Sequence, residues 1–146
     1  MSMNMFFQAF SPKDLDAMRE DQDLIDKWVE GEERCTASID VDTAWDVLRH
    51  ILDEVGFRSD GVADGVLSNG CDFVSPELVK EQAKELSAWS RARVREALRA
   101  IDEDAGLYHQ AVYQHEEGDL IDQYDVLSAF FQEAAERGDG ALFYGA

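Results

Sequence analysis

The sequence predicts an α+β domain, and three observations carry that reading. A long amphipathic helical pattern near the C-terminus stops at a glycine and is followed at once by a short apolar strand, Ala141 to Tyr144. A second apolar run, Met3 to Phe10, has Asn4 and Gln8 as its only polar residues and reads as a buried strand. Between them apolar residues recur at intervals of three and four, the period of helices with one buried face.

Taking the pieces in order, Ser11 is placed to cap a helix whose first position is Pro12, where a missing amide costs nothing; Leu15 and Met18 face inward. A second helix, Gln22 to Glu30, offers Leu24, Ile25, Trp28 and Val29 before Gly31 stops it. Glu30 to Arg34 is a polar bend and Thr36 to Val41 a brief extended piece. Asp42 is expected to cap the next helix, in which Val41, Trp45, Leu48, Leu52 and Val55 repeat and Gly56 closes the run. Asp46, Arg49 and Asp53 take its wet side, with His50 one turn after Asp46. In Phe57 to Phe73, short strands at Val62 to Leu67 and Asp72 to Val74 suggest a hairpin turned at Ser68-Asn69-Gly70.

Ser75 and Pro76 repeat the cap-and-proline start, opening a helix to about Leu86 with Val79, Ala83 and Leu86 inside. Ser90 caps another to Ile101, with Val94, Leu98 and Ile101 inward; Asp102, Glu103 and Asp104 oppose the dipole and end it. Gly106 to Gln114 reads as a linker. The long helix follows. At roughly 100 degrees per residue, Leu120, Tyr124, Leu127, Phe131 and Ala134 share one stripe, with Ile121 and Ala135 on one flank and Phe130 on the other. So wide a stripe needs a sheet and at least one helix as neighbours. Gly138 and Gly140 are expected to end it by supplying positive φ.

A chain of 146 residues suits one domain that buries roughly two thirds of its unfolded surface. Cys35 and Cys71 stand alone without CxxC spacing, so a disulfide scaffold or zinc site is not expected and a reducing cytoplasm is. No run approaches the ~20 apolar residues that cross a bilayer, and no basic segment precedes an apolar one at the start. Thirteen basic against thirty-two acidic side chains give a net charge of −19, which opposes binding to a phosphate backbone. With 45% hydrophobic residues the acidity sits on a folded body. Solubility accounts for it most simply; adaptation to high salt and a basic partner are the other accounts.

In this order the chain resembles the YfbM-like family of small bacterial proteins, which carry a domain of unknown function. The resemblance rests on Met1-Ser2-Met3-Asn4 leading into a strand and Ser11-Pro12, and on Asp40 to Leu48 around Trp45. Val74-Ser75-Pro76-Glu77, Ala105-Gly106-Leu107-Tyr108 and Phe130 to Tyr144 extend it over nearly the whole length. The resemblance implies a small mixed sheet that includes the N- and C-terminal strands, covered by five to six helices. It implies no activity. Against the family's pattern the stretch from Gly61 to Gly70, running straight into Cys71, is shortened and altered.

Chemistry is thinly signalled. His109 and His115 are six apart, unlike the four-residue spacing that aims two imidazoles at one ion, so no metal and no cofactor is expected. No GxSxG elbow, no GxxxxGK[ST] loop and no alternating calcium-binding carboxylates occur. Cys71 in its turn lacks a basic group to activate it. Trp45, Tyr108, His109 and His115 are the candidates for a pocket between the glycine-rich stretch and the Tyr108 to His115 linker. Arg91, Arg95 and Arg99 form the one basic row; acids of the same chain can neutralise it, or it can serve as an anion or partner contact.

Two functions therefore compete. One is a cytoplasmic, non-catalytic interaction domain, immunity-like or antitoxin-like, with an unknown and basic protein partner. The other is a small enzyme or ligand-binding protein. Neither nucleic acid nor membrane is expected as a partner, and the sequence does not speak to oligomeric state.

Overall fold

The two ends of the chain pair in the middle of one sheet. The computed structural model describes residues 4–146 apart from the Asp42 side chain, so Met3 and the predicted Asp42 cap lie outside the described residues. Strand β1 (Met5–Phe10) runs antiparallel to β5 (Gly140–Gly145), with Phe7 opposite Phe143 and Phe10 opposite Gly140. β2 (Ala37–Asp40) pairs with the outer side of β1, while β4 (Cys71–Val74) pairs with β5 and β3 (Gly61–Ala63) closes the far edge. The order is β2-β1-β5-β4-β3, antiparallel at every pairing.

Strand parity builds two cores. Met5, Phe7, Ala9, Val74, Ala141 and Phe143 point to the face covered by α3 (Trp45–Val55), α4 (Pro76–Ser87), α5 (Arg91–Ala100) and α7 (Glu117–Arg137). Phe10, Phe73 and Leu142 point to the other face, under α1 (Pro12–Glu20) and α2 (Asp23–Glu30). The long helix α7 is buried along the expected stripe: Leu120, Tyr124, Leu127, Phe131 and Ala134 are all inside, and α4 packs against it. The hydroxyl of Tyr124 donates to the carbonyl of Leu86 at 2.6 Å, and burial pushes its pKa up to about 12.

The helix starts follow the caps read from sequence. Ser11 accepts from the Asp14 amide, Ser75 from Leu78 and Ser90 from Arg93. Replacing Ser75 with alanine should cost about 1 kcal/mol, read as a lower urea midpoint at unchanged slope. No loss of stability would mean that the 3.3 Å contact contributes nothing.

Four details differ from the sequence reading. A single turn of 3₁₀ helix, Asp42–Ala44, precedes α3, because the backbone closes on itself there before the helical run. The segment after Gly106 is not all linker: Gln110–His115 form α6, a seventh α-helix, whose Tyr113 is buried with its hydroxyl 2.7 Å from that of Thr43. The hairpin at Gly61–Val74 exists but β3 is three residues long. Gly65 turns the chain at φ +75, so Val66 and Leu67 leave the strand to fill the second core, where the Asp26 carboxylate accepts from the Leu67 amide at 2.8 Å. Gly138 ends α7 with φ +76 as expected, whereas Gly140 has no positive φ and is the first residue of β5.

Candidate functional site

One cleft lies between α3 and the sheet, lined by residues of β1, β4 and β5. Helical periodicity puts Trp45, Arg49 and Asp53 on one stripe, each one turn beyond the last, and that stripe overhangs the β4–β5 register in which Asp72 is opposite Phe143. The space is about 350 Å³, open on one side, and is lined further by Met5, Phe57, Arg58 and Ser59. That is near the lower end of ligand-pocket sizes.

Its floor is aromatic. Trp45 stands 6.2 Å from Phe57 and 6.1 Å from Phe143, and Phe57 stands 5.6 Å from Phe143, all three tilted against one another. Its rim is charged. Arg58 is committed, donating to Glu81 at 2.8 Å, to Glu85 at 3.2 Å and to the Gly56 carbonyl at 2.7 Å. Asp72 accepts from the Ser59 hydroxyl at 2.9 Å through one oxygen. Arg49 and Asp53 are exposed and, among the described residues, make no hydrogen bond or ion pair.

Of the residues proposed from sequence for a pocket, only Trp45 lines this cleft. Tyr108 stacks on His109 at 4.0 Å and its amide donates to the Asp46 carboxylate at 3.2 Å, on another side of α3. His109 sits just before α6 and His115 is its last residue, so at 1.5 Å of rise per residue they are about 9 Å apart along the axis. Among the described residues no group of three or more His, Cys, Asp or Glu side chains is arranged to hold a metal ion. In the sequence Arg49 and Asp53 read as wet-face residues of this helix and are not site candidates. Their spacing of four from Trp45 is the signal that could have flagged them.

The arginine row faces α7 and is met there by carboxylates. Arg91 pairs with Asp125 and, at 3.3 Å, with Asp122. Arg99 holds Glu117 in a fork at 2.5 and 2.9 Å, and Arg95 approaches the same carboxylate at 3.6 Å. The hydrogen bonds from Arg99 hold the Glu117 carboxyl below its ordinary value, and Glu117 in turn raises Arg99. Just before β3, burial alone would raise Asp60, but hydrogen bonds from Ser75 and Arg19 outweigh it and hold the carboxyl low.

Both carboxyls titrate lower in the fold than their ordinary 3.8 and 4.5, so their contribution to stability is present above those values and is lost as the pH falls through the folded ones. Acidification also relieves the repulsion of a highly negative chain, so a variant supplies the readout. Between about pH 6 and about pH 3, Glu117→Gln should lose less stability than the parent in denaturant titrations. Equal losses would remove Glu117 from the account of acid sensitivity.

Neither thiol is activated. Burial, helped by the Asp72 charge, pushes Cys71 up to about 12, and burial with the Glu32 charge also raises Cys35. No helix among the described residues is long and apolar enough to cross a membrane.

With this geometry in place, comparison with known proteins adds kinship and no activity. The fold is similar to that of YfbM from Escherichia coli, a protein of unknown function. The TM-score is 0.66 at 13% identity, over 98% of this chain and 99% of that one. No curated protein matches the chain. Residues 1–144 match the family described as Domain of unknown function (DUF1877), and the chain belongs to that family.

Proposed function

We propose that the protein is a cytoplasmic, non-catalytic interaction domain that receives a basic protein partner, in the manner of an antitoxin or immunity protein. One observation carries the reading: the only basic row in the sequence is consumed by α7 carboxylates within the chain. Among the described residues the row is thus paired within the chain, and the net charge of −19 sets the field outside. The α1–α2 layer presents Glu20, Asp21, Asp23, Glu30, Glu32 and Glu33 to solvent, a field that would steer a basic surface toward it.

The test is coexpression with the products of adjacent genes, followed by stopped-flow association of the purified pair. A basic small partner should associate with a rate that falls steeply with salt, and reversing Glu20, Asp21 and Asp23 to lysine should slow association about tenfold or more. A neighbourhood without any basic small protein, together with capture that stays empty at low salt, would sink the reading.

A further inference from the structure

Arg49 is out of place among the arginines of this chain. Arg19, Arg34, Arg58, Arg91, Arg95, Arg99 and Arg137 each hold a carboxylate, and Arg93 lies over the Trp89 ring at 4.1 Å. Arg49 alone, among the described residues, has neither an acid nor a ring, although acidic side chains outnumber basic ones by 32 to 13. It lines the cleft under α3, one turn from an equally unpartnered Asp53.

The geometry points to this cleft as a binding site for a free α-amino acid with an apolar side chain. A guanidinium with all its donors available asks for a carboxylate, which it can hold in a two-pronged grip. A plain anion does not suit the site, because Asp53 and Asp72 share the rim and the whole chain carries a charge of −19. A plain cation would leave Arg49 unused. A zwitterion satisfies both: its carboxylate meets Arg49, its ammonium meets Asp53 and the oxygen of Asp72 that Ser59 does not occupy, and its zero net charge escapes the long-range repulsion. The apolar floor of Met5, Trp45, Phe57 and Phe143 takes the side chain, and about 350 Å³ suits a single amino acid better than a peptide or nucleotide. The site is independent of any protein partner.

The probe is L-phenylalanine, followed by NMR at the indole N–H of Trp45. That signal should shift and saturate with L-phenylalanine. Phenylacetate, lacking the ammonium, and phenethylamine, lacking the carboxylate, should each bind about tenfold or more weakly. Arg49→Gln should weaken the amino acid by a similar factor while leaving the melting temperature unchanged, since Arg49 supports nothing in the fold. The proposal is overturned by a silent Trp45 at about 10 mM L-phenylalanine, by equal responses to the three probes, or by an Arg49→Gln variant that binds as the parent does.

Discussion

Replacing Phe7 with alanine should lower the unfolding free energy by about 3–5 kcal/mol. Phe7 is fully buried, and five rings surround it: Trp45 at 5.7 Å, Phe57 at 6.3 Å, Phe130 at 6.0 Å, Phe131 at 6.1 Å and Phe143 stacked at 5.0 Å. These rings come from α3, from the segment after it, from α7 and from β5, so the deletion opens a void where the helical layer meets the sheet. Rigid neighbours on several sides cannot all relax into it. The loss is a large part of the ~5–15 kcal/mol that a domain usually has, so the variant should show a much lower guanidinium midpoint or fail to fold at 37 °C. Phe6 is the control: it faces the opposite side of the sheet, is only partly buried and, among the described residues, stacks only on Tyr144 at 5.3 Å, so Phe6→Ala should cost far less. Similar losses at both positions would mean that strand parity does not set the core.

A valine at position 140 should cost about 1–3 kcal/mol, for the opposite reason. A Cβ on Gly140 would run into the Cδ2 of Leu15, come within 3.0 Å of the Val74 carbonyl oxygen and within 3.3 Å of Pro76 Cδ. One of these neighbours is backbone in the central part of the sheet and cannot swing away; Leu15 is a buried core side chain. Gly138, two residues earlier, gives the contrast. It has open space for a Cβ but φ +76, so Gly138→Ala should cost on the order of 1 kcal/mol through backbone strain alone. Thermal melts of the two variants separate crowding from conformation. A Gly140→Val protein as stable as the parent would mean that the three elements around it are not packed as described.

Much of the fold was legible in residue order, for reasons that are local. A serine hydroxyl ahead of Pro12 or Pro76 satisfies an orphan amide within three residues. The apolar stripe from Leu120 to Ala134 follows from the helical repeat alone, and Gly138 ends it because only glycine takes that φ without strain. Sequence rules faltered where two reasons for the same residue compete. Gly140 looked like a second turn glycine and is instead a spacer for Leu15 and Val74. Val66 and Leu67 looked like strand residues and fill a core beside α2. Tyr113 looked like a linker residue and anchors a helix.

The functional residues divide in the same way. Sequence alone determined the acidity, the three-residue and four-residue periods, the helix caps and the arginine row, because each depends on neighbours within a turn or two of chain. Only the tertiary structure decided that β5 lies between β1 and β4, that the row is spent on Glu117, Asp122 and Asp125, and that Arg49, among the described residues, is left without a partner at a cleft also lined by Trp45, Phe57 and Phe143. Strand order and charge pairing join residues tens of positions apart, and which of thirty-two carboxylates an arginine meets is settled by packing. Nothing in the local code distinguishes a spent charge from a free one.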